Sequence, residues 1–294
     1  MAVFVTRFDF RLPNASPEQR QALFARAVQQ AAYVDQHGQD AIVLSEHHAS
    51  ADGYLPSPLI VASAFAAVTE RIGISIAAIL GNLYDPVRLA EDIAVLDHVS
   101  KGRVGYTFGL GYRPLEYALL ERDWASRGTD MEARLELLLA ALHGEEVERG
   151  GVKQRVTPTP FSQPHPNFFY GGGSLVAARR AARLGLGFAP QTASPELRAA
   201  YEQGCRDAGR EPGFVLAPPK QGPATIFCAE DPDAFWDQHG IHLLHDAQAY
   251  QAWRDEGGRD PKSASHVADA STTVEAMRAA GVYAVFSPTS SSTS

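Results

Sequence analysis

Short apolar runs alternate with helical patterns along nearly the whole chain, and five of the helical stretches open on a capping residue followed by proline. These are Ser16-Pro17, Ser57-Pro58, Asp85-Pro86, Ser194-Pro195 and Asp231-Pro232. A cap side chain accepts a hydrogen bond from a free backbone N–H of the first turn, and proline there gives up no intrahelical bond. Each pair therefore marks a helix start placed after a strand. The runs that read as strands are Val3 to Phe10, Ala41 to Leu44, Ile72 to Ile79, Val104 to Phe108, Phe168 to Tyr170, Leu186 to Ala189, Ala224 to Ala229 and Val282 to Ser287. Strands separated by helices run parallel, and eight such units in 294 residues close most naturally into an α/β fold of the (β/α)8 TIM-barrel type. A doubly wound open sheet is the other architecture open to this pattern. Its dinucleotide-binding half would carry a Gly-x-Gly-x-x-Gly turn after the first strand, and the chain has none. Residues 1–288 are expected to form one barrel domain, and 289–294, with nothing to bury, a disordered tail.

In a barrel of this kind chemistry gathers at the C-terminal ends of the strands. The run Ala41-Ile42-Val43-Leu44 ends in Ser45-Glu46-His47-His48, and histidine moves protons near neutral pH. His47 and His48 are adjacent, so on an extended chain their side chains diverge and do not grip one metal ion. Glu46 either orients an imidazole or packs against a neighbouring loop. In the third run Ile72, Ile74 and Ile76 share one face and Gly73, Ser75 and Ala77 the other; in the fourth, Val104, Tyr106 and Phe108 oppose Gly105, Thr107 and Gly109. Helices would take the large face, leaving small residues toward the axis and room for something flat, unless larger residues from other strands fill it.

After the fifth run, Gly171-Gly172-Gly173-Ser174 opens the helix Leu175 to Leu184. Bare backbone, a helix N-terminus and a hydroxyl make a phosphate cradle, or else a flexible strand-to-helix turn. Arg179, Arg180 and Arg183 lie beyond the first turn and read as a solvated face. His239, His242 and His245 recur every three residues, without an acidic ligand pattern beside them, and read as lid or surface residues.

A formal charge of -8 without a basic run argues against nucleic acid and anionic membranes as partners and leaves a small molecule. Cys205 and Cys228 form no disulfide framework and no zinc motif, and no apolar run is long enough to span a bilayer. The expectation is a soluble, untargeted protein of the reducing cytoplasm.

Several segments in order resemble the bacterial-luciferase-like flavin-dependent monooxygenases and oxidoreductases. They are Ser45 to His48, Asp52-Gly53-Tyr54-Leu55-Pro56-Ser57-Pro58, Arg71-Ile72-Gly73, Ala77-Ala78, Asp85 to Asp92, Leu96-Asp97 and Ser100-Lys101-Gly102-Arg103. The resemblance continues through Gly109-Leu110-Gly111-Tyr112, Gly171 to Ser174 and Ala181 to Gly185, and fades beyond Leu186. It implies a barrel that binds reduced FMN, commonly released by a separate flavin reductase, or in some branches a deazaflavin. It also implies reaction with dioxygen and a small organic substrate, and a homodimer. By matching position His47 resembles the family's active-site histidine. Ala77-Ala78 matches a third-strand segment that often carries a non-proline cis peptide beside the flavin ring. Gly109 matches the rim after the fourth strand, and Gly172, Gly173 and Ser174 match the phosphate-binding turn. Some members place a phosphate-binding arginine where this chain has Leu110, and Arg113 nearby is the candidate substitute. The stretch Ala229 to Ala268, with Trp236 and Trp253, is expected to line or cover the substrate site. Two other readings stay open: a deazaflavin-dependent dehydrogenase, and a flavin-binding partner subunit without turnover.

Overall fold

The computed structural model describes residues 3–218, 222–223, 225–257 and 269–288. In chain order its elements begin with Val5–Phe8 (β1), Pro17–Gln36 (α1), Ala41–Leu44 (β2), Pro58–Val68 (α2), Gly73–Ile79 (β3), Pro86–Ser100 (α3) and Val104–Phe108 (β4). Pro114–Leu119 (α4), Arg127–Leu142 (α5), Glu146–Arg149 (β5), Val152–Arg155 (β6), Phe168–Gly172 (β7), Leu175–Leu184 (α6), Gly187–Pro190 (β8) and Pro195–Asp207 (α7) follow. The chain ends with Thr225–Cys228 (β9), Pro232–Glu256 (α8), Val274–Ala280 (α9) and Tyr283–Phe286 (β10). Each of the eight expected strands is present within a few residues of its predicted limits. The β5–β6 antiparallel hairpin was not anticipated: both strands are largely polar and exposed, so no burial pattern announces them. The tail 289–294 lies outside the described residues.

Four of the five cap-proline pairs behave as the sequence predicts. Ser16, Asp85, Ser194 and Asp231 each accept a first-turn N–H, and Ser16 completes a capping box with Gln19. Ser57 precedes α2 but makes no such bond.

Six strands pair in parallel in the order β1-β2-β3-β4-β7-β8, and β9 and β10 form a separate parallel pair. Beyond β8 the sheet continues, among the described residues, as a bridge between Phe188 and Val215. No ladder joins β1 to β10 among the described residues. Instead Asp246 of α8 accepts hydrogen bonds from Arg7 of β1 and Tyr283 of β10, both at 2.7 Å. The architecture is the expected parallel α/β barrel type, with side chains spanning the seam.

The two strand faces differ as predicted. Ile42, Leu44, Ile74, Ile76, Tyr106 and Phe108 are buried under the helices, and Phe8 meets Phe65 of α2 edge-on at 5.2 Å. On the other face Arg7, Val43, Ser75 and Gly105 stand in register, as do Ala77, Thr107, Phe169 and Gly187. All of these except Thr107 are only partly buried. Arg7 and Phe169 fill the flanks of this inner face, and small side chains remain between them. Both readings of the small face therefore hold, each over part of the sheet.

Candidate active site

The segment after β2 is fixed by short bonds on both sides. Ser45 Oγ donates to the Ala77 carbonyl at 2.7 Å, the His47 N–H donates to the Leu55 carbonyl, and the Leu55 N–H donates to Asp9 O just past β1. His47 is only 6% exposed, and both of its ring nitrogens are engaged. Nδ1 lies 2.9 Å from Glu116 Oε1, and Nε2 lies 3.2 Å from the Tyr112 hydroxyl. Burial holds the imidazole below its ordinary pKa; Glu116 opposes this, while Arg113 and Arg11 reinforce it. A neutral ring carries one proton. A carboxylate only accepts, so that proton sits on Nδ1, and Nε2 is left to accept from Tyr112.

Glu116, at the first turn of α4, is fully buried and also accepts the His48 backbone N–H at 2.9 Å. All of these bonds fall on Oε1; Oε2 has no partner among the described residues. Glu46 does not serve His47. Its Oε1 pairs with His48 Nε2 at 2.8 Å and accepts from Tyr84, while Oε2 accepts the Leu80 N–H. Burial alone would lower the His48 pKa, but the hydrogen bond and charge of Glu46 outweigh it and raise the value. The two histidines thus diverge, as predicted, each to its own carboxylate. No group of metal-ligating side chains occurs among the described residues.

Helix α8 closes over His47. Its Trp253 ring centre is 4.4 Å from that of His47, and Tyr250 and Tyr54 meet the imidazole edge-on at 6.1 and 5.0 Å. The guanidinium groups of Arg11 and Arg113 lie over Trp253 at 4.5 and 4.6 Å. Arg11 pairs with Asp52 and stands 2.8 Å from Asp246, and His245 Nε2 reaches Asp52 at 2.8 Å. Although burial pushes Asp52 up, its bonds from Ser50, Arg11 and His245 hold it at about 2. Of the three spaced histidines, only His245 joins this network. Residues 258–268 of the expected covering stretch lie outside the described residues.

Across the same rim the backbone is bare. The Ala77–Ala78 peptide is cis. A Cβ on Gly109 would come within 2.7 Å of the Ala78 Cβ, and one on Gly172 within 2.7 Å of the Ala177 Cβ. Strand β7 runs on through Gly172, two residues beyond its predicted end, so the turn itself is Gly173-Ser174. Ser174 caps α6 by accepting the Ala177 N–H at 3.1 Å, which leaves its hydroxyl proton free to donate. One expectation holds in part and another is corrected. Arg179 and Arg183 are exposed, as a solvated face would be, but Arg180 is only 14% exposed and, like Arg183, binds Glu132 of α5. Arg113 is no phosphate ligand: it is 2% exposed and spends its donors on Glu256 and the His48 carbonyl.

His47, Ala77-Ala78, Gly109 and Gly172 to Ser174 all sit at C-terminal ends of parallel strands, on one rim. The small inner face, the glycine backbone and the open N-terminus of α6 fit a flat, phosphate-bearing cofactor such as a flavin. Glu116 and Tyr112 escape sequence reading. Each follows β4 in a segment whose pairing with His47 depends on the fold bringing positions 47 and 112–116 together.

A parallel barrel with its polar side chains gathered at the strand ends defines the (β/α)8 class, whose active sites lie at that rim. Within that class the chain belongs to the luciferase-like monooxygenase family, whose model matches residues 5–286. It is 32% identical over 124 residues to the alkanal monooxygenase alpha chain of Photorhabdus laumondii, covering 42% of this chain and 33% of that protein. The oxygenating constituent of 3,6-diketocamphane monooxygenase from Pseudomonas putida, a type II Baeyer-Villiger monooxygenase in complex with FMN, superposes with a TM-score of 0.70 at 18% identity. That match covers 96% of this chain and 84% of the other. An F420-dependent secondary alcohol dehydrogenase with an F420-acetone adduct gives 0.63 at 16% identity, covering 98% and 94%. At these identities the structural match is one of fold. The chain spans about half the length, or less, of the curated relatives it matches.

Proposed function

We propose that the protein is a flavin-dependent monooxygenase that uses reduced FMN and dioxygen to oxidise a small organic substrate, with His47 in the proton-transfer machinery. The observation that carries this reading is the Glu116–His47–Tyr112 chain, its His47 and Glu116 buried, on the same rim as the bare Gly172–Ser174 turn. The Gly172 to Ser174 backbone and the Ser174 hydroxyl would hold the phosphate, and Ala77, Ala78 and Gly109 would line the ring. Bound reduced flavin supplies the electrons with which dioxygen is split between product and water. Tyr54, Tyr250 and Trp253 exclude water from His47, so a proton on this chain passes between fixed partners and not to solvent. The FMN-bound relative supports FMN; the F420-bound one supports the alternative of a deazaflavin-dependent dehydrogenase. Anaerobic titration with reduced FMN, run beside reduced deazaflavin, separates them. Saturable FMN binding followed by oxygen uptake into product is the expected result. Binding of deazaflavin alone overturns the monooxygenase reading, and FMN binding without oxidation of any substrate favours a non-catalytic flavin-binding subunit.

The reduced flavin would come from a separate reductase, as the resemblance to the luciferase-like family implies. A reducing cytoplasm suits the two free cysteines, and no helix among the described residues is long and apolar enough to cross a membrane. The partner for the outer face of α2 is a second copy of this chain. Helix α2 carries no charged residue, its Ile60 is 73% exposed, and Phe24, Val28, Val61 and Phe65 line an apolar groove of about 470 Å³ beside it. Ile60→Glu is expected to convert a dimer into monomers by light scattering. A wild-type monomer, or a dimer indifferent to the change, overturns that assignment.

A further inference from the structure

We infer that Tyr112 is the residue that exchanges a proton directly with the reacting molecule, and that His47 acts one step behind it, held by Glu116. The inference rests on the monooxygenase reading for the reaction it serves, though its geometry stands without it. His47 has no free nitrogen: Nδ1 is on Glu116 at 2.9 Å and Nε2 on Tyr112 at 3.2 Å. Its ring is also covered, by Trp253 at 4.4 Å and Tyr54 at 5.0 Å, with Tyr250 beyond. Tyr112 is the partly exposed member of the chain, on the rim segment that follows Gly109.

The step moves protons only. The bond between the reacting atom and its proton breaks as a new phenolic O–H forms on Tyr112. The original Tyr112 O–H breaks as Nε2–H forms on His47, and the resulting imidazolium keeps its Nδ1–H on Glu116 Oε1. Run in reverse, the same chain delivers a proton to a product oxygen. No atom changes oxidation state. Burial pushes the Tyr112 phenol well above its ordinary pKa, with Tyr250 and Glu116 adding to the shift and Arg113 and Arg11 opposing it. A free phenolate is therefore disfavoured, and Tyr112 works only by passing one proton as it takes the other. The groups that face the pair are Glu116 from α4, Arg113 just before it, Tyr54 after β2, Arg11 after β1, and Tyr250 and Trp253 from α8.

The test begins without cofactor. In the full-length protein labelled with 15N-histidine, the His47 signals are those lost in His47→Gln. The expected result is a neutral ring protonated on Nδ1, with an Nε2 resonance that moves when Tyr112→Phe removes its donor while the tautomer stays the same. A ring protonated on Nε2, or an Nε2 resonance indifferent to Tyr112→Phe, overturns the relay. With FMN loaded, Tyr112→Phe is expected to slow substrate oxidation by about 10²-fold with flavin affinity retained. Unchanged turnover overturns the relay. Failure of the wild type to bind FMN overturns the flavin reading instead, and leaves the NMR result to decide the relay.

Discussion

Replacing His47 with glutamine is expected to lower the rate of substrate oxidation by roughly 10²- to 10⁴-fold while binding of reduced FMN persists. Glutamine is the informative choice because its amide keeps hydrogen-bonding groups of similar reach in the pocket, yet it neither accepts nor releases a proton at neutral pH. Glu116 does not become an orphaned charge in the variant, since Oε1 keeps the His48 N–H at 2.9 Å and Arg113 stands 3.6 Å away. The loss would therefore report proton transfer and not collapse of the site. His48→Gln is the matched control. His48 pairs with Glu46, which retains the Leu80 N–H and the Tyr84 hydroxyl, so this variant is expected to keep most of the activity. Rapid-mixing measurement of product formation in both variants decides the matter. A His47→Gln enzyme as fast as wild type, or a His48→Gln enzyme as slow as His47→Gln, would remove His47 from its place.

The contrast between the two histidines also shows what the sequence carries and what it does not. Alternation of apolar runs and capped helices is local, so all eight barrel strands and four of the five proline-led caps are legible from the chain alone. The same holds for the large and small faces of β3 and β4, because strand periodicity fixes which residues point together. Partner choice is not local. Glu46, next to His47 in sequence, turns to His48, and the carboxylate that holds His47 comes from 69 residues away. Arg113 reads as a free cation near a phosphate, but the fold stacks it on Trp253 and spends its donors on Glu256 and His48. Long-range pairing of charged side chains leaves no periodic trace, and so these assignments needed coordinates.

The same kind of long-range pairing governs the closure of the barrel, and there Asp246→Ala is expected to cost about 3–5 kcal/mol of stability. Asp246 is 6% exposed and serves three side chains at once: Arg7 of β1 and Tyr283 of β10 donate to it at 2.7 Å, and Arg11 lies 2.8 Å away. Removing it strands guanidinium groups inside the protein. Among the described carboxylates Arg7 then keeps Asp9, at 3.5 Å, and Arg11 keeps Asp52. Loss on this scale is a large fraction of a typical folding free energy and corresponds to a fall of roughly 5–8 °C in the thermal midpoint. Because the seam between β1 and β10 is spanned by this residue, α8 would loosen first, and with it Tyr250 and Trp253 over His47. Tryptophan emission should therefore shift to the red at temperatures where helical circular dichroism is still intact. Arg278→Ala sets the comparison, since its partner Asp233 is 77% exposed and a surface pair of that kind contributes at most about 1 kcal/mol. If Asp246→Ala melts no earlier than Arg278→Ala, the buried pairing at the seam is not what holds α8 across the active-site rim.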